Sequence, residues 1–186
     1  MTSRKSSLRI IGGENRGRRL QFTDQDGDLR PTSDRLRETL FNWLQFELRG
    51  KRVLDLFAGS GALAAEALSR GAAHAVIIEK KPERAADLSK QLKPIFAERA
   101  FIQQADALKW LPRASGPFDI VFIDPPYHIE AQQPACDLLI EHQLLASGAW
   151  VYVESRRQDE APHVPSWRLE KEKTMGDACA RLYFVS

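Results

Sequence analysis

Short apolar runs alternate with longer stretches of helical periodicity along most of the chain. The runs are rich in valine, isoleucine, leucine and phenylalanine, and the segments between most of them are long enough to form a helix. Strands that are apolar on both faces and alternate with helices form parallel sheets. The pattern therefore predicts a doubly wound α/β fold with a mostly parallel, seven-stranded sheet. The predicted strands are residues 53–57, 75–78, 100–104, 118–123, 149–153, 167–171 and 181–185.

Leucines that recur at every fourth position predict the first helix. Thr32 or Ser33 is suited to cap its N-terminus, and Gly50 is expected to end it after about four turns. The leucines are Leu36, Leu40, Leu44 and Leu48, and later helices are expected between Pro82 and Pro94 and over residues 131–143.

The N-terminal segment has the pattern of a β-hairpin. Residues 8–11 and 18–22 are extended stretches, and the glycines and the asparagine of residues 12–17 tolerate the positive φ of hairpin turns. Such a hairpin is too short to have its own core, so it is expected to pack on the rest of the chain or on a partner. We expect a basic N-terminal β-hairpin extension over residues 1–29 and a larger domain over residues 30–186.

The composition is that of a globular protein. The 186 residues are 43% hydrophobic and 28% charged, which excludes a disordered chain, a collagen and a disulfide-stabilised miniprotein. No apolar run approaches the roughly 18 residues that span a bilayer. The basic start is not followed by an apolar stretch as long as that of a signal peptide. We therefore expect a cytoplasmic protein that does not bind membranes, with Cys136 and Cys179 as free thiols.

The charge is distributed unevenly along the chain. Residues 1–19 contain six basic side chains and one acidic side chain, which gives a net charge of +5 in a chain whose total is +2. The remaining residues therefore carry a net charge of −3. A basic arm on a mildly acidic body favours a polyanionic partner, although a solvated terminus would have the same composition.

Acidic or glycine-rich segments follow four consecutive strands of the predicted sheet. Asp55 lies at the end of the first strand, before the turn that contains Gly59 and Gly61, and Glu79 ends the second strand. Doubly wound sheets bind ligands beyond the carboxyl ends of their strands, where glycines let the backbone approach a ligand and an acid can accept hydrogen bonds from a ribose. The acids after the third and fourth strands are Asp106 and Asp124.

Two nucleotide cofactors are compatible with these residues. Gly59, Gly61 and Ala64 match the permissive dinucleotide fingerprint, with Glu79 as the ribose acid. Asp55, however, places negative charge where a pyrophosphate would be repelled and a cation attracted. S-adenosylmethionine has a sulfonium, an ammonium and a ribose but no phosphate, and we favour it as the cofactor. The alternative is that the small residues serve only helix–sheet packing.

The four residues after the fourth strand, Asp124, Pro125, Pro126 and Tyr127, carry the most specific signal. Consecutive prolines hold the backbone extended and leave its carbonyls free. An aromatic ring can stack on a planar substrate, while a carboxylate and a proline carbonyl accept the two N–H bonds of an exocyclic amine. The segment therefore predicts methyl transfer to an aryl amine, driven by positioning and electrostatics. Alternatively, the prolines form only a turn that closes the strand.

Metal binding is not expected. The histidines have no pair at ligand spacing, and the two cysteines lie 43 positions apart. The histidines are His74, His128, His142 and His163.

These motifs resemble those of class I S-adenosylmethionine-dependent amino-methyltransferases. Residues 55–61 and 124–127 carry this resemblance. The segments 11–20, 30–44 and 61–71 narrow it to the RsmD family, which the chain resembles nearly from end to end. The resemblance implies a Rossmann-like fold and methylation of the exocyclic N2 of a guanine in 16S ribosomal RNA.

The resemblance also implies a role for each group of residues. The flipped guanine would be held by the catalytic residues Asp124, Pro125, Pro126 and Tyr127. S-adenosylmethionine would be bound by Asp55, Ala58, Gly59 and Gly61 at its methionine part, Glu79 at its ribose, Asp106 and Ala107 at its adenine, and Arg30 and Thr32 from the N-terminal side. RNA would be contacted by Arg9, Arg16, Arg18 and Arg19 of the hairpin.

The expected partner is 16S ribosomal RNA within a small-subunit assembly particle, bound by a monomer, although free RNA is an open alternative. Three other functions are compatible with parts of the sequence. They are an amino-methyltransferase for DNA adenine N6 or cytosine N4, a nicotinamide oxidoreductase, and a ribosome-assembly module without catalysis. The intact Asp-Pro-Pro-Tyr segment argues against the last of these, because a protein that only binds has no need of it.

Overall fold

The computed structural model describes residues 4–24 and 33–186, which form a hairpin and a seven-stranded sheet with helices. The strands are β1 (Arg4–Arg9), β2 (Arg19–Asp24), β3 (Arg52–Asp55), β4 (His74–Glu79), β5 (Ala100–Gln104), β6 (Phe118–Ile123), β7 (Leu145–Arg156), β8 (Trp167–Met175) and β9 (Ala178–Val185). The α-helices are α1 (Asp34–Trp43), α2 (Ala62–Ser69), α3 (Pro82–Phe96), α4 (Ala107–Trp110) and α5 (Gln132–Glu141). In these residues, no helix is both long enough and apolar enough to cross a membrane.

The large sheet has the strand order β5-β4-β3-β6-β7-β9-β8. The first five strands in this order are parallel, and β9 runs antiparallel to both β7 and β8. The order reverses between β3 and β6, so a crevice is expected beyond the carboxyl ends of these two strands. The predicted doubly wound, mostly parallel sheet of seven strands is therefore confirmed.

The apolar strands separate two hydrophobic cores, one on each face of the sheet. Along β6, Ile120 and Phe122 belong to one core, while Val121 and Ile123 belong to the other. This alternation follows from the two-residue period of a strand and explains why the run is apolar throughout. Residues of α1, α2 and α3 complete the first core, and residues of α4 and α5 contribute to the second.

The first helix is shorter than its leucine spacing predicts. The side chain of Ser33 accepts a hydrogen bond from the Leu36 N–H and caps α1, but the helix ends at Trp43 rather than near Gly50. The Glu47 N–H donates to the Leu44 carbonyl, so the chain continues in tight turns. All four leucines of the spacing are nevertheless buried. The periodicity thus predicted which side chains reach the core, but not where the helix ends.

Several other boundaries differ from the sequence prediction: β3 ends at Asp55 instead of residue 57, β8 continues to Met175, and β9 begins at Ala178. α3 does not close at Pro94 but continues to Phe96, so that Pro94 lies in its last turn. β7 covers twelve residues and extends to Arg156, instead of ending at Val153. The extension of β7 matters for the site, because it adds residues beyond the predicted carboxyl end of the strand.

The N-terminal hairpin is present and packs on the body of the protein. β1 and β2 pair in antiparallel register, and their inward side chains belong to the same core as α1 and α2. The buried carboxylate of Glu66 in α2 accepts hydrogen bonds from the N–H groups of Ile11 and Gly12, at 2.8 and 2.7 Å. On burial these two N–H groups give up their hydrogen bonds to water, and the Glu66 carboxylate replaces those bonds. The carboxylate therefore fixes the hairpin to α2. The inward side chains are Leu8, Ile10, Leu20 and Phe22.

Candidate active site

A cavity of about 770 Å³ lies at the carboxyl ends of β3, β4, β5 and β6. Ser33 and Leu36 at the start of α1 line it from one direction, and Gly176, in the turn between β8 and β9, lines it from another. The cavity is therefore at the place where a doubly wound sheet binds its ligand. Residues predicted from the sequence that line it are Asp55, Ala58, Gly59, Glu79, Asp106, Ala107, Asp124, Pro125, Pro126 and Tyr127.

Glu79 holds the glycine turn that follows β3. One oxygen of its carboxylate accepts a hydrogen bond from the Gly59 N–H at 2.9 Å, and the other accepts one from the Lys81 N–H at 2.8 Å. Gly59 has a φ of +53°, a conformation that glycine adopts without strain. Each carboxylate oxygen has a second lone pair, so Glu79 can also accept hydrogen bonds from a ligand in the cavity.

Asp55 is a buried acid in the cavity wall, with only 2% of its surface exposed. Its carboxylate accepts a hydrogen bond from the Ala64 N–H in the first turn of α2, at 3.2 Å. Burial, together with the negative charge of Asp124, raises the pKa of Asp55 to about 7. A cation in the cavity would stabilise the ionised form of this acid, whereas a phosphate would be repelled.

Asp106 begins the short helix α4 beside the end of β5. It caps this helix, because its side chain accepts a hydrogen bond from the Lys109 N–H. The ammonium of Lys80 lies 3.0 Å from the other carboxylate oxygen, and its hydrogen bond lowers the pKa of Asp106. The lowered pKa favours the ionised form of Asp106, and Ala107, the first residue of α4, also lines the cavity.

The Asp-Pro-Pro-Tyr segment leaves β6 directly into the cavity. Pro125 is buried, and Tyr127 is half-buried, with the guanidinium carbon of Arg156 5.5 Å from the centre of its ring. Asp124 follows Ile123 at the end of the strand, and both its neighbours in the segment and the glycine turn of β3 line the same cavity. The Pro126 carbonyl accepts a hydrogen bond from the Ile129 N–H at 2.9 Å, so the expectation that both proline carbonyls are free is wrong for Pro126. The segment therefore combines a carboxylate, the Pro125 carbonyl and an aromatic ring, a set that suits an exocyclic amine on a planar ring.

Sequence reasoning missed Glu154, a buried acid in β7 that lines the same cavity. One oxygen of its carboxylate lies 2.8 Å from the Tyr152 hydroxyl, and the other lies 3.5 Å from the Tyr127 hydroxyl. The sequence pattern predicts that the strand ends at Val153, whereas β7 continues to Arg156 and includes Glu154. The alternation of Tyr152 and Glu154 along an extended strand was the signal that could have identified it.

One predicted cofactor residue in the described part of the chain, Gly61, does not line the cavity. A Cβ atom at this position would lie 2.5 Å from the Leu88 side chain. Gly61 also has a φ of +74°, so close packing of α2 on α3 explains this glycine. Arg30 and Thr32 lie outside the described residues.

The predicted RNA-contacting arginines, Arg9, Arg16, Arg18 and Arg19, are all exposed on the hairpin. The hairpin turn contacts the end of α2, where the Glu14 N–H donates to the Ser69 carbonyl at 2.8 Å. Ala62, at the other end of α2, lines the cavity. The turn and the cavity therefore lie at opposite ends of α2, a helix of eight residues that is about 12 Å long.

In the described parts of the chain, no group of three or more histidine, cysteine or acidic side chains could hold a metal ion.

Comparison with known proteins identifies relatives over almost the whole chain. Ribosomal RNA small subunit methyltransferase D of Escherichia coli strain K12 is 43% identical over 182 residues, which cover 97% of this chain and 91% of the relative. The solved structure of yhhF from Escherichia coli has a TM-score of 0.89 at 40% identity and covers 97% of this chain and 99% of that chain. The similarity therefore extends over almost the whole chain.

A more distant solved structure shares the fold. It is the 16S rRNA N2 G1207 methyltransferase RsmC of Thermus thermophilus, in complex with AdoMet and guanosine. Its TM-score is 0.71 at 22% identity, and the match covers 99% of this chain and 51% of that chain. The fold is thus the Rossmann-like fold of class I methyltransferases. The model of the family described as Conserved hypothetical protein 95 matches residues 8–184, and the chain belongs to this family, the RsmD family.

Proposed function

We propose that this protein uses S-adenosylmethionine to methylate the exocyclic N2 amine of a guanine in 16S ribosomal RNA. The observation that carries the proposal is that one cavity contains both the glycine turn of β3 and the Asp-Pro-Pro-Tyr segment of β6. The names of relatives that share at least 40% identity over nearly the full chain, such as ribosomal RNA small subunit methyltransferase D, support the same activity and RNA.

The residues of the cavity fit S-adenosylmethionine. The ionised form of the buried acid Asp55 is favoured by a cation, and Glu79 has lone pairs for ribose hydroxyls. Gly59 leaves its backbone open to close approach, while Asp106 and Ala107 stand at the end of β5 for the adenine. When it is bound, S-adenosylmethionine supplies a methyl group activated by the sulfonium. In the proposal, Asp55, Ala58 and Gly59 hold its methionine part.

The Asp-Pro-Pro-Tyr segment orients the amine that accepts the methyl group. The nitrogen of an aryl amine is a weak nucleophile, because its lone pair is delocalised into the ring. The Asp124 carboxylate and the Pro125 carbonyl accept its N–H bonds, which favours a pyramidal nitrogen with an available lone pair. The ring of Tyr127 stacks on the base and fixes its plane. Asp124 is also the acceptor that the segment offers for the proton that the nitrogen must lose.

The basic extension is the proposed RNA grip. We propose that residues 1–29 are an extension of the methyltransferase domain of residues 30–186, and that the exposed arginines of the hairpin contact phosphates. They lie on the hairpin whose turn contacts the end of α2 opposite the cavity, so an RNA that reaches both would span at least the length of this buried helix. We further propose that the protein acts as a monomer on small-subunit assembly particles in the cytoplasm. A basic arm suits a substrate that presents a continuous phosphate surface.

A methylation assay with isotope-labelled S-adenosylmethionine tests the proposal. Free 16S ribosomal RNA, small-subunit particles and double-stranded DNA are incubated with the protein, and the labelled product is digested to nucleosides and identified by mass spectrometry. The expected product is N2-methylguanosine, formed in RNA and not in DNA. Methylated adenine or cytosine in DNA would contradict the proposal and support the DNA alternative.

A further inference from the structure

Glu154 is a buried carboxylate in the cavity that is held by Tyr152 and lies next to Tyr127. Only 5% of its surface is exposed, and it lies on β7 among the residues that line the cavity. The Tyr152 hydroxyl donates a hydrogen bond to one carboxylate oxygen at 2.8 Å, and the Tyr127 hydroxyl lies 3.5 Å from the other. An acid that is held in this way does not swing out to solvent. It presents its oxygens in a defined direction beside the proposed base-stacking ring.

The sheet register places Glu154 beside Asp124. In the parallel pair of β6 and β7, Ile123 pairs with Val153, so the two acids follow at the same level of neighbouring strands. Phe122 and Tyr152 belong to the same core, and their ring centres are 6.3 Å apart. Asp124 and Glu154 both line the cavity, and the charges of both raise the pKa of the Tyr152 hydroxyl. The register therefore brings the two acids to neighbouring positions at the end of the cavity beside the Asp-Pro-Pro-Tyr segment.

Two neighbouring carboxylates match the hydrogen-bonding edge of guanine. On this edge the exocyclic N2 amine is next to the N1–H, so adjacent positions both donate hydrogen bonds. In adenine and cytosine the exocyclic amine is next to a ring nitrogen that accepts hydrogen bonds. A carboxylate that faces such an acceptor is left without a donor and is repelled by its lone pair.

We infer that Glu154 accepts the N1–H of the target guanine while Asp124 binds the N2 amine, and that Glu154 thereby selects guanine over other amine-bearing bases. The inference rests on the proposed function and deepens it, because it names the residue that reads the base. Tyr152 remains a hydrogen-bond donor to Glu154, since burial raises the pKa of its hydroxyl well above the ordinary value. A site built to bind an N–H group rejects analogues that lack it, by factors of at least about 100.

The experiment replaces the target base by 2-aminopurine, which keeps the C2 amine but has an N1 without hydrogen. The methylated position is first located in RNA treated with wild-type protein. The same RNA is then prepared with 2-aminopurine at that position by splinted ligation, in the form, free or assembled, that the protein accepts. Methyl transfer to both RNAs gives a ratio of kcat/KM values for guanine over 2-aminopurine. For the wild-type protein, we expect this ratio to be at least about 100.

The Glu154→Gln variant tests the role of the residue itself. Its side-chain amide can turn an NH₂ group toward the acceptor N1 of 2-aminopurine, so the ratio is expected to fall at least about tenfold, mainly through loss of activity on guanine. Glu160→Gln, which changes an exposed glutamate outside the cavity, is the matched control and should keep the wild-type ratio.

The outcomes distinguish a failure of the inference about Glu154 from a failure of the proposed function. A wild-type ratio within about threefold of 1 would overturn the selection by an N1–H acceptor, whether or not the variant folds. An unchanged ratio in folded Glu154→Gln would show that another group reads N1 and would overturn the assignment to Glu154. Failure of the wild-type protein to form N2-methylguanosine in the guanine RNA would overturn the proposed function, and this inference with it.

Discussion

The carboxylate of Glu79 and the backbone N–H of Gly59 lie 2.9 Å apart and connect the ends of two neighbouring strands. This hydrogen bond fixes the turn after β3, while the second oxygen of Glu79 binds the Lys81 N–H. The acid that is expected to bind the ribose thus also shapes the loop that is expected to hold the methionine part. Substitution of Glu79 should therefore affect the whole cofactor site.

Glu79→Gln is predicted to weaken cofactor binding. The amide has one oxygen, so its NH₂ group must face either the Gly59 or the Lys81 N–H, and one hydrogen bond is lost. We expect the Kd of S-adenosylmethionine, measured by isothermal titration calorimetry, to rise about tenfold or more. Glu83→Gln, at an exposed position in the first turn of α3, is the control. Equal affinity in the variant and the wild-type protein would remove Glu79 from the cofactor site.

The raised pKa of Asp55 predicts a pH-dependent affinity for the cofactor. In the free protein the pKa is about 7, whereas a bound cation favours the ionised form. Below this pH, binding must release a proton, so the Kd should rise by up to about tenfold for each unit of decreasing pH. Calorimetry in buffers of different ionisation enthalpy measures the proton release. Asp55→Asn should remove the proton release that comes from Asp55, while any proton release from the cofactor itself remains. Identical proton release in both proteins would contradict the assignment.

The raised pKa of Asp55 also predicts how the free energy of unfolding of the cofactor-free protein changes with pH. The folded-state pKa of Asp55 is raised from 3.8 to about 7, so the folded protein retains a proton that the unfolded chain has already lost. The contribution of Asp55 to the free energy of unfolding is therefore fully present below the unfolded pKa and is lost as the pH rises through about 7. Urea denaturation across this range should show a smaller decrease for Asp55→Asn than for the wild-type protein.

Glu66→Gln is predicted to detach the hairpin turn from α2. The buried carboxylate binds the Ile11 and Gly12 N–H groups and the guanidinium of Arg70, whose Nε lies 2.7 Å away. An amide cannot accept all three, so a buried donor is left unsatisfied. We expect the free energy of unfolding to decrease by about 2–4 kcal/mol, measured by urea denaturation. Glu98→Gln changes an exposed glutamate and should have little effect. A loss below about 0.5 kcal/mol would mean that the contact is not a structural anchor.

Replacement of Arg16, Arg18 and Arg19 by alanine is predicted to weaken RNA binding and to reduce its salt dependence. Each phosphate contact releases condensed counterions, so loss of three contacts should lower the slope of log Kd against log salt concentration by about 2–3. Fluorescence anisotropy with 16S ribosomal RNA fragments measures the slope. The control replaces three exposed basic residues elsewhere, Lys90, Lys93 and Arg113. An unchanged slope in the hairpin variant would exclude these arginines as phosphate contacts.

The elements whose signals are local could be predicted from the sequence. β5 and β6 have the bounds that their apolar runs indicated, and the acids at the strand ends meet in one cavity because parallel strands end at the same edge. Ser33 caps α1, as its position after the loop suggested.

Features that depend on neighbouring elements could not be read from local sequence. The cofactor role assigned to Gly61 did not consider Leu88 of α3, which packs where a side chain at position 61 would lie. The register between β6 and β7 brings Glu154 next to Asp124, and local sequence does not encode this register. Similarly, the leucine period continued beyond Trp43 because turns, as well as helices, can bury residues four apart.

The central claim is that Asp124 acts on the amine and not on the binding of the cofactor. Its negative charge contributes to the raised pKa of Asp55, so cofactor binding must be compared at a pH of about 8 or above, where Asp55 is mostly ionised in both proteins. Asp137→Ala, at an exposed position of α5, serves as the control for single-turnover methylation and for calorimetry.

Single-turnover methyl transfer by Asp124→Ala, combined with its Kd for S-adenosylmethionine, is the most direct test. We predict a loss of at least about 100-fold in the rate of transfer to RNA, with a Kd within about threefold of the wild-type value. A variant that keeps the wild-type rate, or one that loses activity only because it no longer binds S-adenosylmethionine, would contradict the proposed role of Asp124.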